Sequence, residues 1–171
     1  GNDYLTGFRN TNWLSHLSGS VLITEIAWAK YGLEDRATIA LAKANVLRYV
    51  DAIRPDGSVP EMGDYFHYGM EFTLLSLHSW SLHYEKNIIE KYAQSGLSEA
   101  INFCLAFTDK KGDFWANFGD THIGKHEASR VVGYLYAQRF QSEAGQWLGD
   151  LAATREPLAG LLRPTTINAK F

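Results

Sequence analysis

Cysteine is almost missing. Cys104 stands alone in 171 residues, which excludes an internal disulfide, and its setting in Phe103-Cys104-Leu105-Ala106-Phe107 suits a small buried hydrophobe. Positive charge is also scarce. Sixteen Lys and Arg face nineteen Asp and Glu, for a net charge of -3, so the basic stripe that a phosphate backbone demands is not there and nucleic acid is not an expected partner. No apolar run approaches the roughly 20 residues of a membrane span, and no charged start with an apolar middle marks a signal peptide, so no membrane is expected either. Proline is limited to four residues, all outside the helices predicted below, and no stretch alternates strictly enough to demand a strand.

What is present is ordinary globular material, 46% hydrophobic and 20% charged, sufficient for one core and one domain. Apolar positions Leu14, Leu17, Val21, Leu22, Ile26 and Trp28 recur at helical spacing and predict a first helix over 13–31, with Asn12 as its N-cap. Gly32 stops it. A second helix follows Asp35, with Ile39, Leu41, Ala44, Val46, Leu47, Val50 and Ile53 on its apolar side, so the two form a hairpin. Phe72, Leu74, Leu75, Leu77, Trp80 and Leu82 define a third helix, and 88–107 reads as a fourth with a break at Gly96. A fifth over 127–140 and a sixth over 143–153 precede Pro157 and Pro164, which mark an irregular tail. The expectation is an all-α domain over 1–154, built from six helices in successive hairpins as a bundle, solenoid or toroid, and a tail over 155–171.

Two loops between the hairpins carry most of the chemistry-bearing side chains. In the first, Pro55-Asp56-Gly57 supplies a turn, and Pro60 and Gly63 predict that 56–69 stays an ordered loop. It presents Glu61, Asp64, Tyr65, His67 and Tyr68, phenols and an imidazole able to exchange protons or stack on sugar rings. The second, after Lys110-Lys111-Gly112-Asp113, presents Trp115, Asn117, Asp120, His122 and His126. Loops with this mixture on a rigid scaffold commonly bind ligands. His122 and His126 stand four apart and Asp120 would complete a metal set, but Gly124 weakens the helix this needs, so lining of a sugar cleft is the preferred reading and no metal is expected.

These motifs carry a resemblance. Asn10-Thr11-Asn12-Trp13 before an apolar helix, Pro55-Asp56-Gly57-Ser58 followed by Glu61, Gly63 and Tyr65-Phe66-His67-Tyr68, and Asn117-Phe118-Gly119-Asp120 before a final hairpin resemble, in order and spacing, the heparinase II/III-like and alginate-lyase-like polysaccharide lyases. The resemblance covers roughly residues 8–155. It implies the second half of an incomplete (α/α) toroid, an acidic uronate polysaccharide as substrate, β-elimination without a cofactor, and a periplasmic or secreted location. The chain starts Gly1-Asn2-Asp3 without methionine, so further domains of a longer protein, or self-association, are expected to cover the exposed helix faces of half a toroid.

Elimination removes the weakly acidic proton beside a uronate carboxylate, so it needs donors to stabilise the dianion, a base and an acid. By resemblance Asn12 neutralises the carboxylate, Tyr68 is the catalytic tyrosine with Tyr65 its competitor, and His67 and His122 supply donors. A free phenol titrates near pH 10, so a tyrosine base requires help from its neighbours. Many members place a catalytic histidine after the asparagine; here Trp13 stands there and offers a stacking wall instead. His16, one turn along, either replaces that histidine or is a core residue. Arg130 either meets an anionic substrate or makes a surface ion pair. Two alternatives stand beside the lyase: a glycoside hydrolase using Glu61, Asp64 and Asp120 as paired carboxylates, and a non-catalytic module that binds a glycan or a protein. His78 and His83 read as structural, and Trp80 as core.

Overall fold

The computed structural model describes residues 10–59, 61, 63–112, 116 and 128–155. Within them the chain is all-α: α1 (Asn12–Ala29), α2 (Arg36–Asp51), α3 (Asp64–His83), a short 3-10 turn (Glu90–Tyr92), α4 (Gly96–Ala106), α5 (Arg130–Phe140) and α6 (Glu143–Arg155). Each of the six helices answers to one that the hydrophobic period predicts.

Helices α1, α3 and α5 lie side by side and run the same way, with α3 in the middle. Their register follows from polar and ring contacts: Ser15 Oγ donates to the Gly69 carbonyl at 2.7 Å, His16 lies on Tyr68 and Phe72, Ser129 meets Glu71 and Arg139 reaches Ser81. Helix α2 returns along α1, and α6 along α5. The Asp35 side chain caps α2 by accepting from the Ala37 N–H at 2.9 Å, as its residue type predicts. One buried cluster joins Leu14, Leu22, Val46, Phe66, Leu74, Ile101, Leu135 and Leu148 across all six helices. Cys104 is fully buried within it, and burial pushes its thiol well up from the ordinary value.

The middle pair departs from the expected hairpin. The segment predicted as one long helix from 88 splits into the 3-10 turn and α4, and the return after α3 is made by irregular backbone over 84–95. That backbone is held by Lys43 and Lys91 on Glu85 and by Arg139 3.6 Å from Glu90. Gly96 is therefore the start of a helix and not a break inside one: Ser95 caps it by accepting from the Leu97 N–H. Only glycine fits there, because a Cβ would lie 2.0 Å from the Arg54 carbonyl oxygen. Helix α4 thus begins beside the C-terminal end of α2 and packs on α5 and α6.

The parallel row has a functional consequence. It places the N-termini of α1, α3 and α5 at one end of the molecule, together with the segment that follows α2. Three helix N-termini lie at that end, and their dipoles favour negative charge there.

Candidate functional site

Helix α1 does not start as its sequence suggests. Thr11, in extended conformation, is the cap position, its hydroxyl makes no capping bond, and Asn12 is the first helical residue. The cap comes from elsewhere: the Glu61 carboxylate accepts the Asn12 backbone N–H at 2.5 Å across 49 residues of sequence. An acid at that position also meets the helix dipole. The expectation of Asn12 as N-cap is corrected, and its side chain is released for another role.

Residues 64–69 are not loop, another correction. Gly63, at φ 62°, turns the chain, and α3 begins at the next residue, so the aromatic cluster occupies its first two turns. Successive helical residues are ~100° apart, which sorts the side chains. Phe66 and His67 go inward, 0% and 4% exposed, while Tyr68 goes outward at 39%; Tyr65 is half-buried.

The outward group is aromatic. Trp13 is 46% exposed and meets Tyr68 edge-on, with ring centroids 6.2 Å apart. His16 stacks on Tyr68 at 4.0 Å, and the Tyr68 hydroxyl is 3.0 Å from His16 Nε2. Because the rings are nearly parallel, the hydroxyl meets Nε2 from the face of the imidazole and not along its in-plane lone pair, so the ring must turn before the proton can pass. His16 is also wedged against Phe72 at 4.1 Å. Burial pulls its imidazole below the ordinary value, with the Glu71 carboxylate acting the other way, so it is neutral at neutral pH. His16 is thus partly buried between the Tyr68 and Phe72 rings.

Beneath this face lies a buried polar cluster. Asn12 is 1% exposed and its Oδ1 has no hydrogen-bond partner. Tyr49 is fully buried, its hydroxyl equally unpartnered, and burial together with the charge of Glu61 raises its phenol above the ordinary value. Gly69 makes the assembly possible. A Cβ there would lie 2.5 Å from Tyr49 Oη and 3.2 Å from Asn12 Cβ, so any larger residue pries α1, α2 and α3 apart. Tyr49 is a residue that sequence reasoning missed, since its period places it with the apolar stripe of α2. Beyond this cluster Asn10, Ala52, Arg54, Ser58 and Val59 line a cleft of ≈ 580 Å³.

Apart from Tyr65 and Arg130, the predicted residues fall into three groups. Trp13, His16 and Tyr68 come together on the surface. Asn12 and His67 are buried below them, and Glu61 is engaged at the head of α1. Trp115, Asn117, Asp120, His122 and His126 lie outside the described residues, as does the Asp64 side chain. Arg130 opens α5, and no carboxylate among the described residues pairs with it. Its Nη1 is buried without an acceptor. Among the described residues no group of three or more His, Cys, Asp or Glu is placed to hold a metal.

Arg139 Nε donates to His78 Nδ1 at 3.1 Å. Trp80 is half-buried against the core, stacked on Tyr84 at 4.6 Å with the Lys43 ammonium 4.2 Å above its ring. No helix among the described residues is long and apolar enough to cross a membrane. No protein-family model matches the sequence, and no curated protein or solved structure matches it either.

Proposed function

We propose that this helical domain binds an acidic, uronate-containing polysaccharide on the Trp13–His16–Tyr68 face and cleaves it by β-elimination. The observation that carries the reading is the Tyr68 hydroxyl 3.0 Å from Nε2 of a neutral His16, beside an exposed indole. Trp13 and Tyr68 offer the flat apolar surfaces on which sugar rings stack. His16 takes the phenol proton, the phenolate removes the proton beside the uronate carboxylate, and the bond to the leaving oxygen breaks as the double bond forms. The imidazolium returns the proton to that oxygen. The N-termini of α1, α3 and α5, at the same end of the row, favour the polymer's negative charge. Three parallel helices whose outer pairs are hairpins suit an arc of an (α/α) toroid, as the sequence resemblance implies.

The test is a panel of alginate, heparan sulfate and hyaluronan, followed by the ultraviolet absorbance of the unsaturated product. The expected result is product with at least one polymer and a loss of at least 100-fold in Tyr68→Phe, which keeps the ring and removes the acid–base group. Absence of product across the panel rejects elimination.

One observation favours a second reading, a glycan-binding module without turnover. The amide of Asn12, which the resemblance makes the carboxylate-neutralising group, is 1% exposed and so cannot meet a substrate that lies over Tyr68. On that reading Trp13→Ala loses polymer binding and Tyr68→Phe keeps most of it.

A further inference from the structure

On the other flank of α3 a second site stands apart from the Trp13–His16–Tyr68 face. A groove of ≈ 190 Å³ runs between α3 and α5, walled by Leu75, Val131, Tyr134 and Leu135 and bearing Arg130, His78 and Gln138 as its polar groups. None of the described lining residues is acidic.

Two features make the groove asymmetric in charge. Arg130 sits at the first position of α5, where a cation is opposed by the helix dipole; it makes no ion pair with a described residue, and its Nη1 is buried without an acceptor. That nitrogen has lost its hydration without gaining an acceptor, which is costly unless an anion completes it. His78 has its Nδ1 occupied as acceptor of the Arg139 N–H, which leaves the proton of the neutral ring on Nε2 as a donor. The groove thus offers a cation, a neutral N–H donor and apolar walls, and the one hydroxyl it holds is turned to other use, since Tyr134 Oη donates to Asp150 at 3.1 Å.

We propose that this groove binds a small monocarboxylate with an apolar body, the carboxylate on the Arg130 guanidinium and the hydrocarbon against Leu75, Val131 and Leu135. A carboxylate is favoured because its two oxygens match the planar fork of arginine, and the apolar walls reward a compact aryl or alkyl body over a bare inorganic anion. The volume limits the body to about the size of one aromatic ring.

The experiment is a calorimetric titration of the whole chain with benzoate, with benzamide as the neutral isostere and inorganic phosphate as the bare anion. Saturable benzoate binding is expected, with benzamide and phosphate each at least tenfold weaker. Arg130→Gln is expected to weaken benzoate about 10- to 100-fold, the range of a charge-assisted hydrogen bond, and Leu75→Trp to abolish binding by filling the groove. Arg130 makes no ion pair with a described residue that Arg130→Gln would break, and circular dichroism confirms that both variants fold. No benzoate binding, equal affinity for benzoate and benzamide, or benzoate affinity unchanged in Arg130→Gln overturns the proposal. Uronate polymer binding at Trp13 is expected to be unaffected by Leu75→Trp, so the two sites are tested separately.

Discussion

The buried pair of Tyr49 and Gly69 gives a prediction whose sign is informative. Tyr49 Oη is fully buried without a partner, and a hydroxyl removed from water with no compensating bond costs about 1–3 kcal/mol. Tyr49→Phe removes that cost and leaves the ring, so the variant should be more stable than the wild type by about 1 kcal/mol, a rise of roughly 2–4 °C in Tm for a chain of this size. Gly69→Ala acts oppositely. Its Cβ would stand 2.5 Å from Oη and 3.0 Å from Cζ of Tyr49, an overlap worth about 1–3 kcal/mol of destabilisation. The double variant should recover part of that loss, because the nearer clash disappears with the oxygen, so the two changes should couple by more than ~0.5 kcal/mol. Urea unfolding of the four proteins, with an unchanged m-value, reads all of this out. Loss of stability in Tyr49→Phe would mean that the hydroxyl has a partner and would refute the reasoning.

Other outcomes follow from the same contacts. The imidazoles of His16 and His78 both sit below their ordinary value through burial, so the unfolded chain binds more protons than the folded one in mildly acid solution. Stability is therefore fully present above pH ~6.5 and declines as pH falls below it, and His16→Asn should flatten part of that decline in urea midpoints taken from pH 7.5 to 5. Asp35→Ala removes the side-chain cap of α2 and should cost about 1 kcal/mol, read by thermal unfolding; a change below ~0.3 kcal/mol would contradict the cap. Cys104, buried with its thiol pushed up, should react with a thiol reagent only as fast as the chain unfolds, and rapid labelling in native buffer would show that the core around it is open.

Local pattern carried the helices, because the 3.6-residue period and residues such as Asp35 and Gly32 act over a few positions. It failed where the deciding partner is remote. Asn12 reads as a cap until Glu61, 49 residues away, takes its N–H, and Gly96 reads as a helix breaker until the Arg54 carbonyl explains why a helix starts there. Tyr65-Phe66-His67-Tyr68 reads as loop because Pro60 and Gly63 precede it, yet a positive φ at Gly63 reorients the chain and lets α3 begin at once. The helix then decides which aromatic is buried and which is exposed, something composition cannot express. The Tyr68–His16 pair spans 52 residues; its members were legible individually, their meeting only as an option. Tyr49 was hidden because a phenol on an apolar stripe looks like any other core ring.

The account rests on the aromatic face at the head of α1 and α3. The most direct measurement is a titration of isotope-labelled protein with a short uronate oligosaccharide, followed by backbone and side-chain resonances. Saturable shifts centred on the Trp13 indole, the His16 imidazole and the Tyr68 ring, and lost in Trp13→Ala, are the predicted result. Shifts confined to another surface, or none at millimolar oligosaccharide, would contradict it.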